Sequence, residues 1–144
     1  ATTEIYTLSL HDALPILDGR SVTVYPATKS GIFAGAAVEA VTTKGFGGPI
    51  TLMVGFKSDG TIYNTAVISH AETPGLGDKM DPKKSDFSLQ FKDKNPETFK
   101  LAVKKDGGQV DAITAATISS RAFCDAVSLA YTAFRQAAQK GGDQ

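Results

Sequence analysis

The feature that most constrains the fold is a long amphipathic stretch at residues 119–139. Its apolar positions recur in steps of four, three, four and three, so they form one stripe along an α-helix. Two glycines at residues 141–142 are expected to end that helix. A helix with one apolar stripe has to bury it against a second layer, which the rest of the chain must supply. The stripe consists of Phe123, Val127, Ala130, Phe134 and Ala137.

The segments before this helix have the residue alternation of β-strands. An Asp-Gly pair at residues 59–60 predicts a hairpin, and Pro26 is expected to end the first strand. Strands followed by a terminal helix favour an α+β fold, in which the long C-terminal helix packs on one face of a mainly antiparallel sheet. The predicted strands are residues 21–25, 31–41, 50–56, 61–69 and 109–113. Helical turns are predicted at 85–91 and 95–101, and a further turn at 104–108.

Residues 1–16 form an unusual start to the chain. They read ATTEIYTLSLHDALPI, which is an in-frame translation of DNA that looks like a standard short-read sequencing adapter. We therefore expect this segment to have no structural or functional role. A real amphipathic segment is the alternative. On the adapter interpretation, residues 17–144 form a single domain, and the natural N-terminus with its expected membrane anchor is missing.

Charge and cysteine content exclude several classes of function. The formal net charge is zero, which argues against a nucleic-acid surface or a polybasic membrane contact. Cys124 is the only cysteine, so an internal disulfide and a thiol metal cluster are excluded. It falls within the predicted helix, and we interpret it as a packing residue. The sequence has no Ser-His-Asp set or acid–base pair that would indicate a catalytic site.

A hydroxyl-rich stretch at residues 111–120 leads into the helix. Thr117 lies at the junction, where the free N–H groups of a helix start attract phosphate. Ala115 and Ala116 leave room beside it, and Thr114 and Ser119 offer further hydroxyl donors. These features suggest a phosphate-bearing group at Thr117. An ordinary N-cap role for Thr117 or Ser119 is the alternative, and spacing alone favours it.

A second unusual stretch, residues 70–78, has no periodicity and carries two glycines around one leucine. Pro74 and Gly75 predict a tight turn, and Gly75 and Gly77 permit the backbone to approach a neighbour or a ligand closely. A plain connecting loop is the alternative, and spacing alone favours that too. His70 is interpreted as the end of a strand.

Three blocks of this sequence together resemble the FMN-binding domain family. Residues 111–119 resemble its flavinylation motif, which reads Asp, two residues, Ser or Thr, Gly or Ala, Ala, Thr, any residue, Ser or Thr. Residues 70–79 resemble its Glu-Thr-Pro-Gly-Leu-Gly loop, and residues 103–108 resemble the segment that leads into the motif. With residues 48–55, these blocks span nearly all of the chain after residue 16 in the right order. Ala115 departs from the pattern, because glycine is commoner there.

The resemblance implies a covalent FMN, joined to Thr117 by a phosphoester bond. A flavin transferase must install this FMN, and we expect Asp111 to be the carboxylate that the transferase or its metal recognises. We hypothesise that the loop at residues 72–77 packs on the isoalloxazine ring. Glu72 either contacts the flavin or braces its loop, and both roles stay open. The other expected cofactor contacts are Thr114, Ala115, Ala116, Ile118, Ser119, Thr73, Gly75, Leu76 and Gly77.

Electron transfer is the function that the resemblance implies, because the flavin supplies the redox chemistry. The blocks are most similar to G subunits of Rnf-type ion-translocating oxidoreductase complexes. This implies other subunits of that complex and a flavin transferase as partners, on the extracytoplasmic side of a bacterial membrane. The alternatives are an NqrC-like subunit of a sodium-pumping quinone reductase, a flavin module of another reductase, and a non-flavin binding domain in which Thr117 only caps the helix.

Overall fold

The structure, a computed structural model, describes residues 7–8 and 22–142. Its core is an antiparallel sheet whose strands lie side by side in chain order, followed by one long helix. The strands are β1 (Thr7–Leu8), β2 (Val22–Lys29), β3 (Ile32–Thr42), β4 (Ile50–Lys57) and β5 (Ile62–Ser69). The helix is α1 (Thr117–Gly142), and it packs on β2, β3 and β4. The predicted α+β architecture is confirmed.

The strands form where apolar residues alternate with more exposed ones, because successive side chains point to opposite faces of a sheet. In β4 the buried positions are Ile50, Leu52, Val54 and Phe56, and all of them face the helix layer. The central strand β3 presents small side chains at many of its positions. Alanine at those positions lets the helix approach the sheet closely.

The helix buries the stripe that its periodicity predicts. All five apolar positions are buried, and Phe123 and Val127 are completely inaccessible to solvent. Phe123 also packs against the rings of Phe87 and Phe91, at centroid separations of 5.2 and 4.9 Å. Those two phenylalanines belong to a short 3₁₀ helix at Phe87–Phe91, which fulfils the predicted helical turn. The helix therefore joins the sheet to the irregular segment between β5 and the motif.

The β4–β5 hairpin forms as predicted. The N–H of Gly60 donates to the carbonyl of Lys57 at 2.9 Å, and Gly60 has φ +93°. The helical turn predicted at residues 95–101 is also present, since the N–H of Phe99 donates to the Asn95 carbonyl at 2.8 Å. The turn predicted at 104–108 takes the form of a 3₁₀ helix at Lys104–Asp106, and Gly107 follows it in the left-handed region.

Two strand predictions were wrong. The strand expected to stop before Pro26 continues through it to Lys29. At its outer edge β1 pairs with Ala27 and Thr28, and none of the described residues pairs with Pro26 there, a position at which a residue without a backbone N–H is tolerated. The segment 109–113 is not a strand. It makes a single parallel bridge between Val110 and Val103, and its residues 111–113 already belong to the motif.

Most of the N-terminal segment, together with residues 17–21 and 143–144, lies outside the described residues. The exception is β1, whose two residues pair with Ala27 and Thr28 at the edge of the sheet. The domain boundary at residue 17 and the adapter origin of residues 1–16 stay predictions. Within residues 22–142, no helix combines the length and apolarity that are needed to cross a membrane.

Candidate cofactor site

Thr117 is the first residue of α1 and is half-buried. Among the described residues, its hydroxyl has no hydrogen-bond partner, and the same holds for the backbone N–H groups of Thr117, Ile118 and Ser119. Helix starts leave such N–H groups free, and they attract anions. Because the helix begins at Thr117 itself, the preceding residue Ala116 occupies the cap position, so Thr117 does not act as an N-cap.

The segment before Thr117 is held in place by Ser120, whose side chain is fully buried. The Ser120 hydroxyl donates to the Ala116 carbonyl at 2.9 Å and accepts the Ile113 N–H at 2.9 Å. A tight turn adds a bond from the Ala116 N–H to the Ile113 carbonyl at 3.0 Å. Residues 113–116 are therefore fixed against the first turn of the helix, and Thr117 has a defined position.

Ala115 has a backbone conformation that alanine rarely adopts. Its φ is +64°, in the left-handed region, where the β-carbon of an L-residue crowds the following carbonyl. Glycine has no such penalty. This explains physically why glycine is the commoner residue at this position of the motif.

Replacing Ala115 with glycine is expected to leave the free energy of unfolding unchanged or to raise it by up to about 1 kcal/mol. The left-handed conformation costs alanine roughly 1–2 kcal/mol, and glycine removes this cost. The removal offsets the stability that glycine loses because it makes the unfolded chain more flexible. Chemical denaturation of the two proteins measures the difference. The matched control is Ala138→Gly inside α1, which is expected to cost about 0.5–1 kcal/mol. Equal losses for both variants would contradict strain at Ala115.

A cleft of about 340 Å³ lies beside Thr117. This is at the lower end of the volumes of ligand-binding pockets, about 300–1,000 Å³. Its rim carries three large apolar side chains that are substantially exposed, namely Phe46, Leu76 and Ile118. The full lining is Phe46, Thr73, Leu76, Gly77, Ala115, Ala116, Thr117, Ile118 and Ser119. The structure thus brings most of the predicted contact residues together around one concave surface.

Glu72 connects the three segments that form this cleft. It is 5% exposed, and its Oε1 accepts the Phe46 N–H at 2.9 Å and the Ser119 hydroxyl at 2.5 Å. Its Oε2 accepts the Gly47 N–H at 2.7 Å. Both oxygens are engaged by protein groups, so the geometry favours the bracing role for Glu72. Contrary to expectation, the loop that it braces is not its own but the one at residues 45–49, and Glu72 also holds the helix start.

Burial alone raises the pKa of Glu72, but the hydrogen bonds from Ser119, Gly47 and Phe46 outweigh this effect. The net pKa lies below the ordinary value of 4.5, so folding stabilises the charged carboxylate. The N–H of Glu72 in turn donates to Nδ1 of His70 at 3.0 Å, and His70 directly follows β5. A charged and hydrogen-bonded carboxylate therefore contacts Phe46 and Ser119, two of the residues that line the cleft.

Gly77 brings the second loop into direct contact with the helix. A β-carbon at Gly77 would overlap the Ser119 hydroxyl and the side chain of Glu72, so only glycine allows this approach. Gly75 has φ +79° and forms the expected turn, but it does not line the cleft. The Ser119 hydroxyl donates to Glu72, so the expected bond to a phosphate would require it to change partner.

Thr114 and Asp111 lie on a neighbouring cleft of about 380 Å³ instead. The backbone of Asp111 is fixed by Gln90, whose amide accepts the Asp111 N–H at 2.8 Å and donates to its carbonyl at 2.9 Å. The Asp111 carboxylate is 72% exposed and pairs with Lys104 at 2.7 Å. A rigid backbone with a solvent-facing carboxylate suits a recognition element better than a cofactor contact.

These features match a known family. Residues 45–132 correspond to the FMN-binding domain. The chain belongs to the FMN-binding domain family. That membership supports FMN as its cofactor. The matched residues include the cleft, both loops and most of α1.

Several curated relatives of this FMN-binding domain are named as the G subunit of an ion-translocating oxidoreductase complex. The protein from Pseudoalteromonas atlantica is 43% identical over 120 residues, covering 79% of this chain and 56% of the relative. The protein from Shewanella piezotolerans is 40% identical, and the match covers 81% of this chain and 56% of the relative. The protein from Shewanella oneidensis is 37% identical, and the match covers 90% of this chain and 58% of the relative. The chain thus spans little more than half the length of these relatives.

Three residues of the site were not predicted from the sequence. Phe46 lines the cleft, Gly47 donates to Glu72, and Gln90 fixes the Asp111 backbone. A signal for the first two was present, since the break at residues 45–49 has three glycines around one aromatic residue. Gln90 had no signal, because its role depends on a contact with a residue 21 positions away.

Proposed function

We propose that this domain is an electron carrier with one FMN attached to the Thr117 hydroxyl through a phosphoester bond. The observation that carries the proposal is the isolated Thr117 hydroxyl, which lies at a helix start on the edge of an apolar cleft. The first-turn N–H groups suit the phosphate, because a helix start favours negative charge. When bound, the flavin supplies one- and two-electron chemistry, and the protein holds it and controls access to it.

The cleft fits the ring system of a flavin. Leu76 and Ile118 offer exposed apolar surface on two sides, while Ala115 and Ala116 leave space next to the attachment point. Gly77 holds the loop at residues 72–77 against the helix, so the cleft is preformed. In this proposal Thr73 and Leu76 contact the ring, Asp111 is the carboxylate that a flavin transferase recognises, and that transferase is a partner during maturation.

We further propose that the domain works within a membrane-bound Rnf-type ion-translocating oxidoreductase complex, as its G subunit. The names of the relatives and their identities of about 40% support this assignment. The other subunits of the complex are then its partners. The proposed location is the extracytoplasmic side of a bacterial membrane, which the resemblance of the three sequence blocks implies.

Intact mass tests the attachment. Residues 17–144 are co-expressed with a flavin transferase in an export compartment, and the product is expected to gain the mass of one FMN less one water. Trypsin cleaves after Lys105 and Arg121, so the flavin should appear on the peptide that spans residues 106–121. Fragmentation of this peptide is expected to place the modification on Thr117. An unmodified product, or a flavin on another hydroxyl, would refute the proposal.

A further inference from the structure

Phe46 differs from the other phenylalanines of this chain. The chain has eight phenylalanines, and within residues 22–142 every one except Phe46 packs against another aromatic ring. Phe46 is 68% exposed instead. Exposing a large ring to water costs the free energy that its burial would otherwise contribute, about 25 cal/mol per Å² of apolar surface. A ring held in this state has surface available for a ligand.

The loop that carries Phe46 is held firmly. The N–H groups of Phe46 and Gly47 both donate to the Glu72 carboxylate, which is itself buried. Gly47 packs so closely on the backbone of Ala71 that a β-carbon there would overlap the Ala71 carbonyl. Two backbone hydrogen bonds and one close backbone contact fix the loop. The exposure of the Phe46 ring therefore follows from a defined loop conformation.

The position of the ring is also informative. Phe46 lines the cleft together with Leu76 and Ile118, each contributed by a different segment of the chain. Leu76 belongs to the loop at residues 72–77, and Ile118 belongs to the first turn of α1. Both aliphatic side chains can provide apolar contact, but only Phe46 presents an aromatic face. Flat aromatic ligands gain from offset stacking on such a face, beyond the simple burial of area.

We infer that Phe46 is the aromatic wall of the cleft, against which the isoalloxazine ring of FMN packs, and that Glu72 is the residue that positions it. This inference rests on the proposed function. It assigns a ligand contact to a loop that lies far from Thr117 in the chain. It also explains why a charged carboxylate is buried behind this loop: its two oxygens fix the backbone that carries the ring.

The test uses tryptophan, which the chain otherwise lacks. In flavinylated Phe46→Trp, the flavin emission is expected to fall severalfold, because electron transfer from indole to an excited flavin requires near contact. The matched control is Ile32→Trp. Ile32 is similarly exposed, at 72%, and lies at the far end of β3, about 30 Å along the strand from the cleft loop. Equal flavin emission in the two variants would overturn the inference.

The positioning role of Glu72 has its own readout. Glu72→Gln in the Phe46→Trp background should restore much of the flavin emission. The Phe46 and Gly47 N–H groups donate to different oxygens of Glu72, and an amide has only one acceptor oxygen, so one of these bonds is lost and the loop no longer holds the ring in place. The control is Val127→Ala in the same background. It lowers stability by removing buried apolar contacts in the core, and it should leave the flavin emission quenched. Equal flavin emission in these two double variants would contradict a positioning role for Glu72 and would show that it only stabilises the fold.

The design separates this inference from the proposed function. Intact mass reports the attachment, whereas emission reports the aromatic contact. If the mass shows no attachment, both tryptophan variants are titrated with free FMN. Saturable quenching of the flavin in Phe46→Trp alone would support the aromatic wall without the covalent bond. Equal behaviour of the two variants in that titration would overturn it.

Discussion

Replacing Thr117 with alanine is expected to abolish the covalent attachment of FMN completely. The phosphoester needs the side-chain hydroxyl, and no other hydroxyl of the motif combines freedom from hydrogen bonds with a place on the cleft. Ser119 donates to Glu72, Ser120 donates to Ala116, and Thr114 lies on the neighbouring cleft. The variant should have the mass of the unmodified chain and no flavin fluorescence in a denaturing gel.

Loss of attachment in Thr117→Ala is not expected to reflect misfolding. The Thr117 hydroxyl has no partner among the described residues, so unfolding free energy should change by no more than about 0.5 kcal/mol. Thr117→Val preserves the branched shape without the hydroxyl and should behave in the same way. Thr132→Ala changes an exposed threonine on the same helix and should retain the full mass gain. A flavin on Thr117→Ala would show that another residue carries it.

The exchange of Glu72 for glutamine is expected to lower the free energy of unfolding by about 1–3 kcal/mol at neutral pH. The amide keeps the volume of the carboxylate but turns one acceptor oxygen into a donor, which leaves a buried N–H or hydroxyl unpaired. Urea denaturation measures the loss. Glu97→Gln removes the charge of an exposed glutamate and should change stability by no more than about 0.5 kcal/mol.

The same substitution should alter the response to acid. Because the pKa of Glu72 is lowered in the folded protein, its contribution is complete above the ordinary value of 4.5 and is lost as the pH falls through the lower folded value. The wild type should therefore lose stability in this acid window, and the gap between wild type and Glu72→Gln should narrow. A gap that stays constant through the window would contradict the role of the charged carboxylate.

Local patterns in the sequence predicted much of the fold. The apolar stripe from Phe123 to Ala137 has the period of a helix, and the alternation in β4 has the period of a strand. Both patterns can be recognised within a short stretch of the sequence. The hairpin followed from a single Asp-Gly pair. The errors arose where context overrode local signals. Among the described residues, none pairs with Pro26 at the outer edge of its strand, and none extends the single bridge of the segment 109–113 into a ladder.

The candidate site divides in a similar way. The motif around Thr117 and the loop at residues 72–77 are continuous in sequence, so their resemblance to the FMN-binding domain family could be read directly. The structure places Thr73, Leu76 and Gly77 on the same cleft as Thr117, which the sequence alone could only suggest. It also separates Asp111 and Thr114 onto a neighbouring surface, although both lie close to Thr117 in the chain.

The helix, the β4–β5 hairpin and the motif could be predicted from the sequence, because each depends on residues close together in the chain. How the cleft is held became visible only in the folded chain. Glu72 reaches Phe46 across 26 positions and Ser119 across 47, and such contacts leave no periodic signal in a sequence. Folding brings these three segments together because the sheet and α1 fix their ends, and the buried carboxylate then joins them by hydrogen bonds.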